Sequence, residues 1–95
     1  MTEGPLVPVR LRLYSRPGCD LCDAMQTEVD AVLADRQRVW EIVDVDSDAS
    51  LAARYGESIP ILFVNGRLFA KVRLPRLGIR FRLIRAAEKE EEPGV

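Results

Sequence analysis

The sequence predicts an α/β fold, a mixed four-stranded sheet flanked by helices in the order β-α-β-α-β-β-α. Three observations carry this. Two β-rich runs, residues 9–14 and 39–45, are separated by a stretch with helical spacing of apolar residues. Strands joined by a helix run parallel with a right-handed crossover. Farther on, Asn65-Gly66 lies between two apolar runs, and a two-residue turn of that kind joins antiparallel strands. Both demands are met by one mixed sheet with helices packed against it.

The elements follow in order. Residues 9–14, VRLRLY, alternate apolar and basic with period two, as in a strand packed on one face. Pro17-Gly18 ends it. From residue 20 to 33 the apolar positions Leu21, Ala24, Met25, Val29, Val32 and Leu33 recur at three- and four-residue steps, the pattern of an amphipathic helix. The β-branched run 39–45, VWEIVDV, reads as the second strand. Asp46 and Ser47 are suited to cap a short helix reaching about Tyr55, with Gly56 as its stop. Residues 60–64 and 67–74 form the hairpin arms around Asn65-Gly66, whose type I′ turn needs positive φ at both central residues. The last segment is read as a helix over about 75–88, with Pro75 in its first turn and Leu77, Phe81, Ile84 and Ala87 on its inner face. Residues 79–83 also alternate like a strand.

Ninety-five residues, 47% of them hydrophobic, suffice for one buried core, and no repeat or linker divides the chain. A single domain over 1–95 is expected, with short flexible tails at about 1–7 and 89–95. No apolar run approaches the roughly 20 residues of a membrane span, and the start MTEGPLVPVR lacks the pattern of a signal peptide. A cytoplasmic, monomeric protein without a membrane partner is the expectation. The net charge is −1, but residues 66–85 hold seven Lys or Arg and no acid, while four of the five residues 88–92 are acidic. That stripe reads as a solvated face or as a docking surface for an acidic protein. Nucleic acid is not expected as a partner, since the chain is not basic overall and lacks an aromatic-basic binding motif.

The chain has two cysteines, both in SRPGCDLCDAM at residues 15–25. In a reducing compartment a Cys-x-x-Cys pair is more often redox-active or metal-binding than a structural staple. A mononuclear zinc site wants four ligands, and two Cys with no His fall short of that, so no metal site is expected. At the entrance to the first helix, Cys19 and Cys22 lie on neighbouring positions of one face, within the reach a disulfide requires. Cys19 precedes the helix, where free amides and the positive dipole end favour thiolate over thiol. Cys22 lies a turn inside. The unequal environments make Cys19 the attacking sulfur and Cys22 the resolving one. Arg16 adds positive potential near Cys19, and Asp20 and Asp23 oppose it.

Ser58-Ile59-Pro60 opens the third strand, a place where proline costs no ladder hydrogen bond. With SRPGCDLC and SIPILFVNG both in view, the chain resembles the glutaredoxin-like branch of the thioredoxin-fold family over about residues 9–87. The resemblance implies a thioredoxin-like fold, a cis Ile59-Pro60 bond facing the cysteine pair, and a substrate thiol held by the Ile59 backbone in the manner of an added strand. It also implies an anion-binding role for Arg16, where typical members carry a lysine for a glutathione carboxylate. Two features depart from the pattern. Asp20-Leu21 stands where Pro-Tyr is common, and Phe69-Ala70-Lys71-Val72-Arg73 replaces a Gly-Gly step followed by an acid that binds glutathione.

The function expected is therefore a glutaredoxin-like thiol-disulfide oxidoreductase acting on protein disulfides or glutathione mixed disulfides, with no bound cofactor. Its reductant is left open between glutathione and a reductase. The alternative is a non-catalytic thioredoxin-fold module that docks an acidic protein through its Arg-rich stripe.

Overall fold

A computed structural model of the chain describes residues 8–90. Its elements are β1 (Val9–Ser15), α1 (Asp20–Val32), β2 (Arg38–Asp44), a 3₁₀ turn (Val45–Ser47), α2 (Ala49–Tyr55), β3 (Ile61–Val64), β4 (Arg67–Lys71) and α3 (Ile79–Glu88). They form one four-stranded mixed sheet in the order β2-β1-β3-β4. As the connections require, β1 and β2 are parallel, and β1 with β3 and β3 with β4 are antiparallel. The hairpin turn has φ of 50° at Asn65 and 81° at Gly66, the paired positive values that the Asn-Gly signal implies. This architecture is that of a thioredoxin-like fold.

The alternation in β1 sets the layers. Val9, Leu11, Leu13 and Ser15 are buried on one face, and the three apolar ones meet Leu62 and Val64 of β3, Met25, Val29 and Val32 of α1, and Leu83 of α3 in a common core. On the opposite face Tyr14 stacks on Tyr55 of α2 with ring centroids 4.4 Å apart, and Phe63 approaches the same ring edge-on at 5.9 Å. Two polar groups tie the layers together. Asp30 on α1 accepts from Arg38 Nε at 2.6 Å and from Trp40 Nε1 at 2.9 Å, fastening the helix to the edge strand β2. Asn65, buried at the hairpin tip, accepts from the Arg10 amide at 2.9 Å and donates from Nδ2 to the Ala87 and Lys89 carbonyls at 3.1 and 2.9 Å. Its side chain supplies partners for carbonyls at the end of α3 that the helix itself leaves open.

Besides β4, which ends at Lys71 and not at residue 74, two elements differ from the sequence expectation. Asp48, not Asp46 or Ser47, caps α2, accepting from the Ser50 amide at 2.7 Å, while Asp44 caps the preceding 3₁₀ turn. Gly56 ends α2 in a right-handed conformation, so the stop there does not use the left-handed freedom of glycine. The second difference is larger: α3 begins at Ile79, behind a left-handed Gly78 with φ of 71° and no side-chain cap, and residues 75–78 lie outside it. Its inner face is built on Leu83, with Ile79, Ile84, Ala86 and Ala87 packed against the core, whereas Leu77 and Phe81 point to solvent. Of the expected tails, 1–7 and 91–95 lie outside the described residues. Lys89 is held by Asn65 and closes the helix through its amide to the Ala86 carbonyl. Among the described residues no helix is long and apolar enough to cross a membrane.

Candidate active site

The sequence Arg16-Pro17-Gly18-Cys19 turns the chain from β1 into α1. The Cys19 amide donates to the Arg16 carbonyl at 3.3 Å, and Gly18 has φ of 79°. Proline followed by a residue of positive φ is the signature of a type II turn, which favours glycine at its third position. The turn delivers Cys19 to the N-cap of α1 in an extended conformation. Its Sγ accepts from the Cys22 amide at 3.1 Å, in the position a serine or aspartate oxygen takes in an ordinary cap.

Cys19 and Cys22 are joined as a disulfide with Cα atoms 5.3 Å apart, inside the range of roughly 4.4 to 6.8 Å that the bond requires. Cys19 is partly exposed, whereas Cys22 is 1% exposed and belongs to the core. A sulfur at the surface that receives a backbone N–H and a second sulfur sealed behind it form an asymmetric pair. The helix start stabilises negative charge on the outer one.

Strand pairing brings the other candidates to this end of the sheet. Tyr14 pairs with Ile61, so the residues leaving β1 toward the cysteines run beside those entering β3. Ile59-Pro60 is there, and its peptide bond is cis. Pro60 is buried, and its carbonyl accepts the Val72 amide at 2.6 Å, which carries the far end of β4 to the same place. Val72 itself has φ of 65°, a left-handed conformation that a β-branched residue rarely takes.

Arg16 is engaged within the chain. Its guanidinium grips Asp46 with Nε at 2.9 Å and Nη2 at 3.0 Å, and Nη1 donates to the Gly56 carbonyl at 3.2 Å. The hydrogen bond from Arg16 holds the Asp46 carboxyl below the usual carboxylate range, and Asp46 in turn raises the guanidinium. Three of the five guanidinium N–H donors are thus engaged within the chain. This partnership was not readable in advance, because residues 30 apart meet only once β1 and β2 pair side by side. The Pro17-Gly18 turn, by contrast, was signalled by its residue types. Among the described residues no three or more His, Cys, Asp or Glu side chains gather as a metal site would.

The profile of the glutaredoxin-like domain (DUF836) family matches residues 10–83, which contain the cysteine pair, the cis-proline and the first half of α3. The chain belongs to that family. Among solved structures, the solution NMR structure of protein Ne2328 from Nitrosomonas europaea is similar, with a TM-score of 0.64 at 23% identity over 77% of this chain and 88% of that one. The structure of a malarial protein is similar at TM-score 0.53 and 18% identity, covering 87% of this chain and all of the other. At such identities the likeness speaks for the fold. No curated protein matches the chain.

Proposed function

We propose that this glutaredoxin-like chain is a dithiol oxidoreductase that reduces or exchanges disulfides. The observation that carries the reading is the asymmetric Cys19–Cys22 pair at the start of α1, its two Cα atoms 5.3 Å apart. In the reduced protein the Cys19 thiolate attacks one sulfur of a substrate disulfide. A Cys19–substrate bond forms and the other substrate sulfur leaves as a thiolate. Cys22, deprotonated, then attacks Cys19 Sγ, breaks the mixed disulfide and releases the second substrate thiolate. The two leaving thiolates take up the two protons that the cysteines lost. Two electrons have passed from the pair to the substrate, which leaves as a dithiol. A thiol reductant resets the pair by the reverse exchange.

Ile59-Pro60 enters β3 at the end of the sheet from which β1 leads to the cysteines, and we assign the Ile59 backbone a substrate-holding role there, since proline has no N–H of its own to compete. The occupied guanidinium of Arg16 and the Lys71–Arg73 segment both weigh against a ready-made glutathione site, and favour a protein dithiol as the reductant.

The test is a pair of variants. Cys22→Ser should accumulate mixed disulfides with substrate, visible by mass spectrometry as adducts that dithiothreitol reverses. Cys19→Ser should form none. Full disulfide-reducing activity in both single variants would overturn the mechanism.

A further inference from the structure

The segment that departs most from the expected pattern is the one that follows β4. It begins beside Pro60, at the end of the sheet from which β1 leads to the cysteines, because the Val72 amide is bonded to the Pro60 carbonyl, and the left-handed turn at Val72 sends the chain onward through residues 73–78 into α3. Along this path the surface is apolar and cationic together. Val72 is 37% exposed, Phe81 66% and Leu77 83%, while Arg73, Arg76, Arg80 and Arg82 are also exposed. Among the described residues none of these four arginines has a carboxylate within 4.0 Å. Arg85, one helical turn after Phe81, lies over its ring with the guanidinium carbon 5.6 Å from the centroid. Residues 66–85 contain no acid, and Glu88 beyond them is held by Arg36 at 3.3 Å.

A solvated basic face does not require large apolar side chains at its centre, and an aromatic residue ringed by arginines is the composition of protein-recognition hot spots. On this evidence we propose that residues 72–82 form a docking surface for an acidic segment carrying apolar side chains, borne by the substrate protein next to its reactive disulfide. This rests on the dithiol reading above and names its substrate class. Charge complementarity selects the partner, and Leu77 and Phe81 supply apolar anchors that a bare polyanion could not use. Continuity with Pro60 favours a substrate over an unrelated ligand. A chain whose disulfide reaches Cys19 must lay its flanks on the neighbouring surface.

The experiment measures single-turnover exchange between the reduced protein and synthetic peptides that share one disulfide loop but differ in flanks, one rich in Glu, Leu and Phe, the other in Lys, Leu and Phe. Formation of the Cys19–Cys22 disulfide is followed by alkylation and mass shift. The acidic peptide should react at least about tenfold faster at low salt, the size of effect electrostatic steering produces, and the advantage should shrink as salt rises. Arg76→Glu combined with Arg80→Glu should reverse the preference, and Phe81→Ala should slow the acidic peptide alone. Both variants should retain the wild-type rate with 2-hydroxyethyl disulfide, a small neutral substrate. Equal rates for the two peptides, with 2-hydroxyethyl disulfide still reduced, would overturn the docking surface and leave the dithiol reading standing. If nothing is reduced, the dithiol reading fails. Fluorescence anisotropy with cysteine-free versions of the peptides then judges the surface alone, and binding without preference for the acidic one overturns it. Co-sedimentation with phosphatidylserine vesicles, together with no acidic-peptide preference, would also overturn it in favour of a lipid surface.

Discussion

Replacing Leu83 with alanine tests how α3 is held, and so how the arginine stripe is presented. Leu83 is the one fully buried residue of α3, at 0% exposure, and the helix starts without a side-chain cap. Leu→Ala removes three carbons, which at about 0.8 kcal/mol per buried methylene is a transfer loss of about 2.4 kcal/mol. The cavity left behind adds to this, and buried Leu→Ala changes span about 2 to 5 kcal/mol in all. A ten-residue helix packed from one side can settle inward, so a value near 3 kcal/mol is expected. For a domain of this size that corresponds to a fall in Tm of about 12 to 24 °C, at roughly 4 to 8 °C per kcal/mol. The paired control is Leu77→Ala. The apolar spacing alone puts Leu77 on the inner face, but it is 83% exposed, and its replacement should change stability by less than about 0.5 kcal/mol. Thermal unfolding followed by circular dichroism reads both. A Leu77 loss equal to or larger than the Leu83 loss would show that this segment is not seated as described and would refute the reasoning.

Three further predictions follow from local physics. For Asp30, burial would raise the carboxyl, but the Arg38 and Trp40 hydrogen bonds outweigh it and hold it below its usual value. Its contribution is therefore present above the unfolded-state pKa and lost as pH falls through the lower folded value. Asp30→Asn should cost about 1 kcal/mol at pH 7, allowing for partial exposure, and the gap from wild type should close below about pH 4, with fluorescence of Trp40, the only tryptophan, as the readout; a gap that stays constant to pH 2 would contradict this. At Val72, φ of 65° disfavours a β-branched side chain, and Val72→Gly should stabilise the protein by up to about 1 kcal/mol in urea unfolding, a clear destabilisation being the contrary result. In the reduced protein Cys19 should be alkylated by iodoacetamide at least about tenfold faster than Cys22, which is 1% exposed; equal rates under native conditions would remove the asymmetry on which the assignment of attacking and resolving sulfur rests.

What was legible in the sequence was what neighbouring residues decide among themselves. The alternation of 9–14 gave the inner face of β1, since Leu11 and Leu13 are buried while Arg10 is exposed. Asn65-Gly66 gave the hairpin because only a few residue types accept positive φ at both positions. Cys19 as the first residue before α1 was readable from Pro17-Gly18 and the apolar spacing that follows. The inner face of α3 was legible only in part. Ile84 and Ala87 pack against the core as their spacing suggests, but Leu77 precedes the helix, behind the left-handed Gly78, and within the helix Leu83 points inward and Phe81 outward. The contact that occupies Arg16 was hidden for a different reason. Asp46 is thirty residues away, and no local rule couples them.

The same division separates reactivity from selectivity in this fold. The chemistry of the cysteine pair depends on a turn and a helix start within eight consecutive residues, 15–22, and would survive large changes elsewhere. What can approach the pair depends on long-range pairings: β1 with β3, which sets Pro60 at the same end of the sheet, and Val72 with Pro60, which begins the arginine stripe there. Charge changes in that stripe should therefore alter which disulfides are attacked without altering how they are attacked. Changes in the turn should slow all disulfides alike. Gly18, at φ of 79° with open space around a Cβ built there, is where that contrast is cleanest. An alanine meets no neighbour, so its cost is confined to the backbone conformation that presents Cys19. A uniform fall in exchange rate across acidic, basic and neutral disulfides is the signature expected of Gly18→Ala, opposite to that of the arginine reversals.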